Sequence, residues 1–339
     1  MPNILLTEKC IRSCPYCFAR KHMHDAPPED ILKWEDLIYI VDFFQSSGDN
    51  NISLLGGEPF LHPEIVDYIL YIIQRGMHVT VFTSGVVSDS ILKDAIEKLG
   101  AVNPAQLAFV VNLNNPKESS FSENSAVARF LTHFAQFITL SINVYKLKFD
   151  YSYALQYINK YGLQRHIRLG LAHPIPGKKN MCIPPEKFRD MADELMAYLP
   201  VFEAFDIHIG FDCGMPMCIF SDEEIGKLHK HMFGNVNFKC GPAVDIGTDM
   251  SVWACFPLSG YKKVSLFEFQ SAQELVAYFN DFHQSVRTEV GGVFLKCDSC
   301  EWRQKQLCSG GCLSHGLNKM INEATIRNAK TYADTLDKE

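Results

Sequence analysis

Short apolar runs alternate with longer amphipathic stretches through the first 200 residues. The apolar runs cover residues 4–6, 52–55, 78–82, 107–112, 137–143 and 166–172, each of strand length. Between them, apolar positions recur at helical spacing over residues 34–45, 63–75, 89–99, 125–134, 151–161 and 185–198. Strands separated by helices imply right-handed crossovers and a parallel sheet. In a parallel barrel the chemistry gathers at the C-terminal ends of the strands. The pattern therefore predicts an α/β fold with a functional rim built by the segments that follow each strand. Beyond residue 205 the helical periodicity weakens and cysteines become frequent, which places a boundary between residues 200 and 212. The stretch from residue 317 is polar and helix-compatible, a docking helix or a tail. The expected units are residues 1–205, 206–316 and 317–339.

Composition narrows the class. The chain has 339 residues, 47% hydrophobic and 21% charged, the profile of an ordinary globular protein. No apolar run approaches the ~20 residues needed to cross a bilayer, and the N-terminus lacks the basic start and apolar core of a signal peptide. Both absences lead us to expect a cytoplasmic protein with no membrane partner. A net charge of −7, without a lysine- or arginine-rich block, argues against a nucleic-acid surface. Twelve cysteines in a reducing compartment point to metal or redox duty rather than to disulfides.

Two motifs carry the chemistry. Cys10, Cys14 and Cys17 share one loop, TEKCIRSCPYCFA. A cubane iron–sulfur cluster normally takes four protein thiolates, so three leave one iron open to a further ligand. A zinc ribbon would instead show two C-x2-C pairs that close the metal off. Next, Gly56, Gly57, Glu58 and Pro59 follow the strand at residues 52–55. The glycines let backbone approach a ligand, and Glu58 offers a carboxylate to an ammonium group. Alone, a GGEP turn reads as a plain strand-to-helix loop.

One strand–helix–strand unit after a three-cysteine loop, however, that turn makes the chain resemble the radical S-adenosylmethionine (radical SAM) superfamily. The resemblance implies a partial (β/α)6 barrel over about the first two-thirds of the chain. It implies a [4Fe–4S] cluster on Cys10, Cys14 and Cys17, with SAM at the open iron. It assigns Gly56, Gly57, Glu58 and Pro59 to the methionine amino group. By the same resemblance Ser84 stands where a polar residue meets SAM, with a helix cap as its alternative role. Asn112 and Asn114 near the end of the fourth strand, and Ser141 and Asn143 on the fifth, supply one or two further SAM contacts, since alternating sides of a strand cannot all face the cofactor. Tyr16 stands where relatives pack an aromatic and offer backbone to the adenine.

The later cysteines form a second pattern. Cys240 and Cys255 bracket an expected β-hairpin with its turn at Gly247, Thr248 and Asp249. Cys297, Cys300, Cys308 and Cys312 follow with spacings x2, x7 and x3. Together these resemble the SPASM domain, a small cysteine-rich extension that carries auxiliary [4Fe–4S] clusters. Its usual order is a hairpin pair, then C-x2-C-x5-C-x3-C, then one late cysteine. Here the second spacing is x7, Met250 replaces a hairpin glycine, and no cysteine follows Cys312. Cys213 and Cys218, just upstream, are spare thiols. By the family's pairing, one cluster would take Cys240, Cys255, Cys312 and one upstream cysteine. The other would take Cys297, Cys300 and Cys308 with the remaining upstream cysteine or a non-cysteine ligand. One or two auxiliary clusters are expected, and a four-thiolate zinc site on Cys297, Cys300, Cys308 and Cys312 stays open beside them. Cys182 reads as a small packing side chain.

The implied activity is reductive cleavage of SAM to a 5′-deoxyadenosyl radical, which removes hydrogen from substrate. An auxiliary cluster fits a substrate radical that must then lose an electron. An electron donor such as flavodoxin or ferredoxin is the expected partner. His173, His208 and Asp212 are the candidate bases, each with an alternative as a loop residue. The leading substrate is a ribosomally made peptide, oxidised or crosslinked. The cysteine loop begins ten residues in, which leads us to expect no N-terminal leader-binding module. The alternative is a dehydrogenase or rearrangement enzyme acting on a small molecule such as a sugar or aminocyclitol. A third reading, a metal scaffold without SAM chemistry, conflicts with two intact motifs.

Overall fold

The computed structural model describes residues 2–19, 30–177 and 179–321. The first two hundred residues alternate strand and helix. β1 (Asn3–Leu5) leads to α1 (Trp34–Ser46), β2 (Asn51–Leu55) to α2 (Ile65–Gln74), and β3 (His78–Thr83) to α3 (Asp89–Leu99). β4 (Leu107–Asn112), α4 (Phe121–Phe134), β5 (Ile138–Val144), α5 (Ser152–Tyr161), β6 (His166–Leu171) and α6 (Phe188–Ala204) complete six units. Serine hydroxyls open several helices where the apolar period begins. Ser88 accepts from the Ile91 N–H at α3, and Ser120 from the Glu123 N–H at α4.

The strands lie in parallel, in the order β1 to β6, and expose neither face to water: Ile52, Ser53 and Leu54 of β2 are all buried. Helices cover one side through Phe130 and Phe134 of α4, which pack edge-on and tilted around Phe109 of β4. This is the expected α/β partial barrel, and the sheet stays open.

Three features depart from the sequence pattern. A seventh parallel strand, β7 (His208–Phe211), pairs with β6. At four residues it is too short to show a period. α6 runs past residue 198 and through Pro200, so the helix extends into the segment where the sequence places a boundary. The helix of residues 125–134 starts earlier, at Phe121, because Ser120 caps it.

Past β7, α7 (Asp222–His231) opens with a capping box between Ser221 and Glu224. β8 (Asp245–Ile246) and β9 (Ser251–Trp253) form the expected hairpin, and β10 (Val264–Ser265) adds to β9. Met250 takes φ +63° in that turn, the conformation for which glycine is the usual residue. β8 pairs in parallel with β1, so one ten-stranded sheet runs from β10 to β7 across the expected boundary at residue 205. α8 (Ala272–Val290) and α9 (Glu301–Gln304) follow, then a helical stretch over residues 313–321. Residues 322–339 of the expected tail lie outside the described residues. Among the described residues, no helix is long and apolar enough to cross a membrane.

Candidate active site

The cysteine loop leaves β1 at the C-terminal rim and is seated on the GGEP turn that leaves β2. The Gly57 N–H donates to the Thr7 carbonyl at 2.9 Å and the Glu58 N–H to the Lys9 carbonyl at 2.7 Å. A Cβ at Gly56 would lie 2.2 Å from the Thr7 oxygen, and one at Gly57 only 1.9 Å from the Lys9 oxygen. The glycines therefore serve a close approach, but the partner in the structure is the chain's own segment entering Cys10. Cys10, Cys14 and Cys17 are partly exposed on this loop. The Arg12 N–H donates to Cys10 Sγ at 3.4 Å and Asn114 Nδ2 to Cys14 Sγ at 3.5 Å. Burial, with Glu58 and the other two cysteines nearby, pushes the Cys10 thiol up to about 12. Without a cation, that thiol stays protonated. Three sulfurs on one loop, two with N–H donors aimed at them, form a donor set that fits an iron–sulfur cluster with one open iron.

Glu58 is fully buried. One oxygen accepts from Thr83 Oγ1 at 2.6 Å and the Phe60 N–H at 3.2 Å. The other accepts from the Ser84 N–H at 2.7 Å and from the Ser84 hydroxyl. Desolvation raises its pKa and these neutral donors hold it back. The carboxyl group thus ties the β2 rim to the β3 rim. Ser84 is spent on Glu58, while Ser88 is the helix cap. Pro59 lies buried in the short helical turn that follows.

Arg12, which the sequence motifs do not single out, ties the loop to β4: its Nη1 donates to the Asn112 carbonyl at 2.8 Å, and its Nε lies 2.6 Å from Glu123. Its signal in the sequence is a lone arginine between two cluster cysteines. Tyr16 stacks on Tyr145 with ring centroids 5.0 Å apart and donates from its hydroxyl to Asn114 at 2.6 Å. A cavity of about 330 Å³ opens here, lined by Arg12, Tyr16, Asn114, Asn143, Tyr145 and Lys146. Asn112 contributes its backbone rather than its amide.

A second polar group spans the later strands. Arg168 on β6 places Nη2 2.7 Å from Asp212 and Nη1 3.4 Å from the buried Ser141 hydroxyl, with its guanidinium over the Phe82 ring. A charged residue inside the apolar strand HIRLGL is its signal. Asp212 follows β7 and so reaches the rim. His208 opens β7 and pairs with His166 at the opposite, N-terminal end of the sheet, away from the other candidates. His173 is buried, 3.3 Å from His315, and sits 3.4 Å from the Cys213 carbonyl. Burial lowers both histidines, His315 to about 3, so each is neutral and His173 serves to hold the Cys213 loop.

The C-terminal thiols gather in two groups drawn from distant parts of the chain. Cys213 and Cys312 donate to Cys240, which is held well below the usual thiol range, while burial pushes Cys255 well above it. The charges of Cys240 and Cys255 both act on Cys312, which places these four together. Separately, Cys218 feels Cys297 and Cys308, and Cys297 feels Cys308 and Cys300. The N–H groups of Met217 and Gly310 point at Cys308 Sγ, 3.5 and 3.3 Å away. A Cβ at Gly292 would lie 2.5 Å from Cys297 Sγ, so glycine shapes a cradle for that sulfur. Among the described residues no group of His, Cys, Asp or Glu closes tightly enough for a single metal ion. Cys218 lies beside Cys297 and Cys308. Cys182 stands apart, half-buried.

Comparison with known proteins agrees with this geometry. The chain is 30% identical over 119 residues to molybdenum cofactor biosynthesis protein 1 of Bos taurus, 32% of this chain and 19% of that protein. It is 31% identical over 104 residues to PqqA peptide cyclase of Granulibacter bethesdensis, 31% of this chain and 27% of that one. The chain thus matches less than a third of the length of either relative. Among solved structures, anSMEcpe with bound AdoMet superposes with a TM-score of 0.62 at 16% identity, covering 99% of this chain and 100% of that one. SuiB of Streptococcus suis bound to S-adenosylmethionine gives 0.63 at 14% identity, over 92% and 73%. These share the fold. Residues 4–130, which hold the cysteine loop and the GGEP turn, match the Radical SAM superfamily.

Proposed function

We propose that this chain cleaves SAM reductively and removes a hydrogen atom from a ribosomally made peptide, for an oxidative modification or a crosslink. Cys10, Cys14 and Cys17 would hold the [4Fe–4S] cluster, which when bound supplies one electron to the SAM sulfonium and so generates the hydrogen-abstracting radical. The chain's own residues do the rest. Arg12 and Asn114 fix the loop from the β4 side, and the GGEP turn fixes it from the β2 side. Glu58 braces the turn from beneath by accepting from Thr83 and Ser84. Ser141 and Asn143 flank the interior of β5, and Asn143 lines the cavity. Asp212 is the candidate base that reaches the rim, paired with Arg168 at 2.7 Å.

The observation that carries the oxidative part is the pair of thiol groups. Cys213, Cys240, Cys255 and Cys312 would hold one auxiliary [4Fe–4S] cluster, and Cys218, Cys297, Cys300 and Cys308 another, as in a SPASM domain. Cys218 would stand in for the absent late cysteine. Such clusters accept the electron that a substrate radical loses on oxidation. Flavodoxin or ferredoxin is the donor class for cleavage. Peptides are favoured because SuiB was solved with its precursor peptide SuiA, anSMEcpe with the Kp18Cys peptide, and one relative is a peptide cyclase. The size of the cavity supports the second reading, a small-molecule substrate such as a sugar or aminocyclitol.

The test is anaerobic reconstitution of wild type and of a Cys10/Cys14/Cys17 triple alanine variant, with iron counted and 5′-deoxyadenosine measured after dithionite. About twelve irons and about eight, with cleavage only in wild type, are expected for three cubanes. About four and none, with zinc in the C-terminal sites, would end the case for oxidative chemistry.

A further inference from the structure

α8 presents two residues one turn apart, His283 and Arg287, toward the group of Cys213, Cys240, Cys255 and Cys312. Both are about 5% exposed. His283 Nε2 lies 3.9 Å from Cys240 Sγ. Arg287 Nη1 donates to the Ser309 carbonyl and, at 3.2 Å, to the Gly311 carbonyl, so the guanidinium grips the strand of chain that leads into Cys312. Its Nη2 is buried and has no hydrogen-bond partner among the described residues. A buried guanidinium with an idle N–H and only neutral carbonyls as partners is costly unless an anion lies within reach. The Cys240 N–H donates to the Ser309 hydroxyl at 3.0 Å, so the segment that Arg287 grips also holds Cys240.

We propose that Arg287, with His283 beside it, is the built-in counter-cation of the auxiliary cluster held by Cys213, Cys240, Cys255 and Cys312, and that it raises the reduction potential of that cluster. This rests on the reading that those four cysteines hold a cluster. Four thiolates around a cubane carry net negative charge, and reduction adds one electron more. A fixed cation a short distance away, in a medium of low dielectric, favours the more negative state over the less negative one. Hydrogen bonds to cluster sulfurs act in the same direction, and His283 is placed to give one. Both residues therefore act through the cysteines, as tuning residues that need never touch substrate. The second group, around Cys297, has the exposed Lys296 and the half-buried Arg303 as its charged neighbours. The cluster next to Cys213, which follows β7, is thereby made a readier electron acceptor than it would be without Arg287.

The test uses the full chain with Cys10, Cys14 and Cys17 replaced by alanine, so that only auxiliary clusters remain, and compares Arg287→Met and Arg287→Lys. Iron is counted, and each cluster is titrated anaerobically by EPR, with Cys240→Ala identifying the wave that belongs to this group. We expect Arg287→Met to keep its iron while the reduced-to-oxidised ratio at fixed potential falls about tenfold, a midpoint shift of about 59 mV to the negative. Arg287→Lys should restore most of it, and the other cluster should not move. Iron lost from Arg287→Met but kept in Arg287→Lys also supports the counter-cation role. An unmoved midpoint, or equal loss of iron in both variants, would reduce Arg287 to a brace for the Ser309–Gly311 backbone and overturn the proposal. If Cys240→Ala removes no iron at all, the cluster reading itself has failed, and that result is separable from a normal cluster with an unshifted potential.

Discussion

The two cysteine regions solve the same problem in opposite ways. The N-terminal loop takes three sulfurs from eight consecutive residues and leaves them partly exposed. It is positioned by backbone, glycine against carbonyl, with Arg12 as a strut. The C-terminal region draws its sulfurs from residues 213 to 312 and gathers them between the sheet edge, α8 and the closing loops. It buries Cys297, Cys308 and Cys312 and sets a buried cation behind one group. A local loop suits a site that must stay open to an incoming ligand. Long-range convergence suits a more enclosed site.

The sharpest way to break this contrast is Gly57→Ala. Its Cβ would meet the Lys9 carbonyl and the Cys10 nitrogen, both backbone atoms that cannot swing away. We expect loss of the SAM-site iron and of 5′-deoxyadenosine formation, at a folding cost of about 1–3 kcal/mol, with auxiliary iron retained. Full iron with normal cleavage would show that the loop does not depend on its seat. Next, Cys218→Ser and Cys213→Ser should each remove about four irons, from different clusters, so that the double variant loses about eight. Equal spectra for the two single variants would merge the groups into one.

The smallest effect concerns the seam between the regions. Asp245 on β8 is fully buried, accepts from Asn3 on β1 at 2.8 Å, and is pushed up from 3.8 to about 7 by desolvation. A carboxyl raised in the folded state binds its proton more tightly there than in the unfolded chain. Stability is then highest at pH below 4 for this group and falls as pH rises toward 7, by roughly 4 kcal/mol at most. Asp245→Asn should therefore raise the melting temperature at pH 8 and change it little near pH 4. A gain independent of pH would mean the charge is compensated at the seam.

Much of this architecture is legible in the sequence, and the reasons are physical. Buried parallel strands are apolar throughout, so β2 to β6 announce themselves. β7 does not, because HIGF is too short for periodicity and Pro200 imitates a break. Cys10, Cys14 and Cys17 are readable because their spacing is local. The partition of Cys213 and Cys218 between two groups is not, since it depends on contacts about a hundred residues apart. His208 shows the same limit: sequence order suggests a place near the rim, but strand direction puts it at the other end. Glu58 reads in sequence as a ligand for an ammonium group, and the structure fills both its oxygens from Thr83, Ser84 and Phe60. A buried carboxylate collects every donor in reach, and no spacing rule reveals which ones those are.

The parallel pairing of β1 with β8 has a consequence for how the molecule is made. One edge of β1 pairs with β2 some fifty residues later, but its other edge waits for a strand 242 residues away. At translation rates of about 5–20 residues per second, that edge stays bare for on the order of ten seconds or more while the rest of the barrel emerges. An unpaired edge is a template for the wrong partner. The strand that delivers the chain into Cys10 is thus finished only when the cysteine-rich extension arrives. Ribosome-bound chains stopped before residue 245 should carry a cluster loop on an incomplete floor, and a helper that shields that edge would act in this window.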